Sequence, residues 1–100
     1  MRGIRYVTLN PTGNITRLVL EPVSPDERPG VTAAMMAEVI PGEPACEQVG
    51  YLEEADDPAC VARLSMMGGE FCGNAAMATA AFLRSGEAGI SRLLLEVSGA

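Results

Sequence analysis

The acid/base and nucleophilic chemistry open to this chain rests on thiols, carboxylates and tyrosines, because its 100 residues include neither His nor Lys and all seven basic residues are Arg. A Schiff-base lysine for pyridoxal phosphate, a Ser-His triad and a His-ligated zinc all need side chains that are absent from these residues. The thiols are Cys46, Cys60 and Cys72. Their number is odd and no C-x-x-C element joins them, which predicts free thiols and argues against a disulfide framework, structural zinc or an iron–sulfur site. Cys72 differs from the other two by its position. It lies between Gly68-Gly69 and the run GNAAMATAAFL, which reads as a helix over 73–85. A thiol at a helix amino terminus meets unpaired N–H groups and the positive end of the helix dipole, both of which stabilise a thiolate and an anionic ligand. A substrate carboxylate fits the N–H groups of Gly73, Asn74 and Ala75, since Gly73 has no side chain to obstruct it. The same position also suits a buried structural cysteine beside a helix cap. Cys46 and Cys60 lie in strand-like apolar contexts and read as core residues.

The elements around Cys72 follow from local pattern. Residues 4–9 (IRYVTL) and 15–23 (ITRLVLEPV) read as strands joined through NPTGN at 10–14, a hairpin whose Gly13 supplies positive φ. Pro22, Pro25 and Pro29 break the chain, and a short helix is expected over 31–40, stopping at Pro41-Gly42. CEQVGYLE at 46–53 and CVARLSM at 60–66 read as strands separated by the acidic turn EADDPA. The second helix is closed by Gly86, and SRLLLEVS forms a last strand ending at Gly99. The order β-β-α-β-β-α-β predicts an α+β (mixed α/β) fold in one domain over 1–100. Because Thr79 is the one polar residue in AAMATAAFL, that helix is expected to be buried on every face.

Composition narrows the partners. A formal net charge of −6 with Arg scattered singly at 2, 5, 17, 28, 63, 84 and 92 offers no basic stripe for nucleic acid. No run approaches the roughly eighteen apolar residues of a membrane span, and the start alternates instead of presenting a signal core. A cytoplasmic protein acting on a small molecule is expected.

The segment EFCGNAA at 70–76 resembles the Cys-Gly-Asn catalytic segment of the diaminopimelate-epimerase and proline-racemase superfamily. NPTGN at 10–14 is similar to that family's substrate-binding Gly-Asn loop, CEQVGYLE at 46–53 takes the place of its Gly-Ala-Asp-Gly strand, and EVSG at 96–99 resembles the strand closing its first domain. These segments span almost the whole chain in the family's order. The resemblance is strongest to the histidine racemases of staphylopine-type opine metallophore biosynthesis, with their similar NPSGN, CEQVG and EFCGNA segments. Diaminopimelate epimerase itself fits less well, since its motif continues with Gly and Arg where this chain has Ala75 and Met77, and Glu47-Gln48 replaces its Ala-Asp pair.

This resemblance implies an epimerase-like lobe, a sheet wrapped around a buried helix, forming the amino-terminal half of a two-domain fold. It implies a cofactor-independent amino-acid racemase or epimerase, with no metal, in which two thiols exchange the α-proton between opposite faces of the substrate. It makes Cys72 the catalytic thiol expected on this side. It implies Asn14 and Asn74 as substrate contacts, beside the helix-start N–H groups of Gly73, Asn74 and Ala75; Glu47, Gln48 and Glu70 are candidates for specificity, and Glu70 also reads as a solvated or capping carboxylate. The second thiol belongs to a second domain or a second chain, with a homodimer as one arrangement. The alternatives are another amino-acid racemase of the same fold, diaminopimelate epimerase included, and a non-catalytic binding domain.

Overall fold

The computed structural model of the protein describes residues 3–10, 13–85 and 94–99. Its elements come in the expected order: β1 (Tyr6–Leu9), β2 (Thr16–Val19), α1 (Arg28–Ala37), β3 (Gln48–Glu53), β4 (Ala62–Met66), α2 (Gly73–Ser85) and β5 (Leu95–Val97). The strands form one mixed sheet in sequence order. β1–β2 and β3–β4 are antiparallel, whereas β2–β3 and β4–β5 are parallel. Parallel neighbours need a long crossover, and the two helices lie in those two connections.

Period-2 alternation sends adjacent residues of each strand to opposite faces, and each face buries its own helix. On one side Val19, Val49 and Tyr51 pack with Val31 and Met35 of α1, together with Val23 and Cys46. On the other, Leu18, Leu64 and Met66 pack with Ala75 of α2, flanked by Cys72, Ala76 and Phe82. The fold is thus mixed α+β, with a helix on each face of the sheet.

The complete burial expected of α2 is not found. Ala75 and Thr79, one turn apart, are its buried positions, while Met77 is 67% exposed. An open five-stranded sheet offers a helix only one side, so its apolar outer face lines an open groove with Leu9, Asn10, Met77, Ala78, Ala81 and Phe82. Among the described residues no helix is long and apolar enough to cross a membrane.

Element boundaries shift for local reasons. α1 begins three residues before the expected start because Pro29 occupies its first turn, where a missing N–H costs nothing. It ends at Ala37, before Glu38 turns extended, and its last carbonyls are claimed from outside the helix. Arg17 of β2, 1% exposed, donates through its guanidinium to Met35 O and to Glu38 O and sits 5.4 Å from the centre of the Tyr6 ring. A buried cation here satisfies acceptors that every helix leaves unpaired and complements the negative end of the dipole. β4 starts at Ala62 instead of Cys60 because Asp57 extends the preceding turn, accepting from the N–H groups of Ala59 and Cys60. β3 starts at Gln48, since Glu47 and Gln48 both direct their N–H groups to Ile15 O. In the last strand β5 covers Leu95–Val97; the expected Gly86 cap and residues 91–93 lie outside the described residues.

The same sheet face carries a charge network that includes Arg28, the first residue of α1. Glu53 accepts from Ser65 and Arg28 and lies 3.3 Å from Arg63, which reaches Glu96 at 2.9 Å. Partial burial pushes the Glu53 carboxyl up, but Ser65, Arg28 and Arg63 outweigh it and hold it below the ordinary 4.5. The Arg63 hydrogen bond, aided by the backbone N–H groups of Asp57 and Asp56, does the same for Glu96. Carboxyls lowered in the native state contribute stability that is fully present above their unfolded value and is lost as pH falls through the native one. Thermal melts are therefore expected to be flat from neutrality to about pH 5 and to fall steeply below pH 4.5, with Arg63→Gln flattening the decline. An Arg63→Gln protein with the same acid-dependent loss as wild type would remove the network as its cause.

Candidate active site

Cys72 is the last residue before α2, and its carbonyl accepts the N–H of Ala76 at 2.9 Å in the first backbone bond of that helix. The N–H groups of Gly73, Asn74 and Ala75 precede that bond, the positions at which a helix has no internal partner to offer. The thiol is half-buried at the edge of the α2-side core. Its sulfur lies 3.3 Å from Nε2 of Gln48, which donates to it.

Strand register brings Gln48 there. Thr16 and Gln48 are partners across the parallel β2–β3 pair and point to the same face of the sheet. Nε2 of Gln48 also lies 2.8 Å from Thr16 Oγ1, and the Thr16 hydroxyl donates to Asn14 O at 2.7 Å. Asn14 ends the β1–β2 loop in the left-handed region at φ 59, directly after Gly13 at φ 114. Asn is one of the few side-chain-bearing residues that adopts this conformation readily. Its Oδ1 accepts from Asn74 Nδ2 at 2.9 Å, which ties the loop to the first turn of α2. Asn14, Gln48, Cys72 and Asn74, far apart in sequence, therefore form one hydrogen-bonded cluster.

The loop before Cys72, residues 67–71, is held from behind. Ser98 donates to Glu70 O at 2.7 Å and accepts from Met66 N–H at 3.0 Å. Gly99, at φ 75, lies so close that a Cβ there would fall 2.4 Å from Phe71 N. Only glycine meets both the conformation and the approach. Glu70 Oε1 accepts from Gly68 N–H at 2.9 Å, shaping its own loop, and Glu47 Oε1 accepts from Ile15 N–H at 2.8 Å. Sequence reasoning passes over Thr16 and Ser98. The signals were present: a hydroxyl on the same strand face as Leu18, and a Ser-Gly pair ending the last strand.

Of the other cysteines, Cys46 meets this cluster only through the backbone of Gln48. Cys46 is buried in the α1-side core, its thiol donating to Gln48 O at 3.2 Å. Cys60, expected in the core, lies instead half-buried in the turn that Asp57 lengthens. Burial, followed by the charges of Asp57 and Glu96, pushes its thiol up, so it is held in the protonated form. Among the described residues no group of three or more His, Cys, Asp and Glu is placed to hold a metal ion.

Residues 3–100 match the family described as histidine racemase CntK N-terminal domain. The chain belongs to this family. A histidine racemase of Staphylococcus aureus (strain Mu50) is 37% identical over 75 residues, covering 74% of this chain and 26% of that protein. A histidine racemase of Fusobacterium nucleatum is 37% identical over 79 residues, covering 78% of the chain and 26% of that protein. The chain thus spans about a quarter of the length of these curated relatives. As a CntK N-terminal domain it carries the cluster around Cys72 within the matched region.

Proposed function

We propose that this chain is the amino-terminal part of a cofactor-independent histidine racemase with an epimerase-like fold, in which Cys72 is one of two acid/base thiols. The observation that carries the reading is the placement of Cys72 at the head of α2, its sulfur beside a buried amide donor and its neighbours Gly73, Asn74 and Ala75 at the unpaired start of the helix.

In one direction the Cys72 thiolate removes the α-proton of histidine. The substrate carboxylate sits against the N–H groups of residues 73–75, so negative charge spreading into it during deprotonation meets the positive end of the helix. A second thiol on the opposite face of the substrate returns a proton, and the roles exchange in the reverse direction. Asn14 and Asn74, already bonded to each other, orient the substrate from the helix side. The second thiol belongs to a second lobe or a second chain, and the uncovered apolar face of α2 is where such a partner would bury surface.

In deuterium oxide, the full-length protein is expected to convert L-histidine to D-histidine with solvent deuterium at Cα, without added pyridoxal phosphate or metal. Hydroxylamine and EDTA should leave the rate unchanged. Strong inhibition by either reagent would overturn the two-thiol mechanism, and absence of any exchange at Cα would overturn the activity.

A further inference from the structure

We infer that Gln48, directed by Thr16, is a positioning residue for Cys72: its carboxamide is locked with nitrogen towards the sulfur, so that it steadies the thiolate and restrains the side chain. The inference deepens the racemase reading and rests on it for the role of Cys72 in turnover. Its geometric basis is independent.

A carboxamide has a donor end and an acceptor end of almost equal size, and its surroundings decide which faces a neighbour. Here the decision starts at Asn14. Its carbonyl can only accept, so the Thr16 hydroxyl at 2.7 Å must spend its single hydrogen there. Towards Gln48 the hydroxyl then has only lone pairs to offer. Gln48 must answer with N–H, at 2.8 Å, which places the NH₂ group between Thr16 and Cys72 and presents its second hydrogen to Cys72 Sγ at 3.3 Å. Gln48 is 6% exposed and Thr16 is fully buried, so water does not compete freely for these bonds. Asn14 O, at 3.4 Å from the same nitrogen, is the longest of the three contacts.

An N–H aimed at sulfur favours the anionic over the protonated form, as donors to a charged acceptor generally do. The carboxylates next to the pair in sequence, Glu47 and Glu70, accept from the N–H groups of Ile15 and Gly68. Gln48 moves no proton itself. It holds the base and its charge in place through the sheet register that pairs Thr16 with Gln48.

The test is the rate of alkylation of Cys72 by iodoacetamide in the full-length protein, measured across pH and assigned to its own peptide by mass spectrometry. Gln48→Glu replaces the donor by an acceptor and is expected to slow the reaction near neutral pH about tenfold or more, moving its pH profile upward. Thr16→Val removes the lone pairs that orient Gln48 and should give a smaller loss in the same direction, whereas Thr16→Ser keeps the hydroxyl and should restore the wild-type profile. A wild-type profile in folded Gln48→Glu overturns the inference; if that variant does not fold, a wild-type profile in Thr16→Val does so. Because alkylation needs no histidine turnover, these results separate the two readings. Slowed alkylation in a protein that does not racemise would leave the Gln48–Cys72 pair standing and remove the enzyme.

Discussion

Cys72→Ser in the full-length protein is expected to lower histidine racemisation by about 10²–10⁴-fold, with the fold retained. The reason is chemical more than steric. A hydroxyl at the head of α2 occupies nearly the same volume and can accept the same Gln48 N–H, yet it remains far too weak an acid to supply a useful anionic base near neutrality. Substrate binding should change little, because carboxylate recognition by the helix start involves the backbone of residues 73–75. Two controls separate catalysis from stability. Cys46→Ser puts a hydroxyl in the α1-side core and should cost about 1–3 kcal/mol of stability while leaving activity per folded molecule intact. Cys60→Ser, in a half-buried turn, should change neither by much. Racemisation and circular dichroism measured on the three proteins decide the matter. Wild-type activity in folded Cys72→Ser, or an equal loss in folded Cys60→Ser, removes Cys72 from the mechanism.

Arg17→Ala, on the opposite face of the sheet, is expected to destabilise the protein by about 2–4 kcal/mol in urea or thermal unfolding. Two losses add. The Met35 and Glu38 carbonyls at the end of α1 lose their donor, the first of them in a buried place, and a fully buried side-chain stem leaves a cavity beside Tyr6. Arg17→Met keeps most of the stem and removes the donors, so it should fall between wild type and Arg17→Ala. The ion pair to Glu38 is a minor part, since the carboxylate is 55% exposed and 3.8 Å away. Stability of Arg17→Ala within about 1 kcal/mol of wild type would mean that α1 is closed without the guanidinium.

Much of the scaffold was legible because its signals are local. The Asn-Pro-Thr-Gly-Asn cluster marks the β1–β2 hairpin, and GNAAMATAAFLRS marks α2 over the residues it occupies, whereas α1 ends at Ala37, before the expected stop at Pro41-Gly42. Two further departures have different causes. Burial of α2 was inferred from its composition, but composition reports what a helix can bury against, and the sheet in this chain covers one face only. Cys60 looks apolar in a strand context. Asp57, three residues earlier, captures the backbone and holds it in the turn.

Residue types alone determined that the available chemistry is that of thiols, carboxylates and backbone dipoles, and that Cys72 stands at a helix start. Which side chains meet that thiol was decided only in three dimensions. Period-2 alternation says that Thr16, Leu18, Gln48 and Gly50 share a face with their strand neighbours, but it does not say which strand lies beside which or in what register. Parallel pairing of β2 with β3 sets Thr16 opposite Gln48, and packing of α2 on that face brings Cys72 to the carboxamide and Asn74 to Asn14. Those contacts cross 24 to 60 residues of chain. They are fixed by the collective burial of two core layers, a free energy that no local stretch of sequence carries by itself.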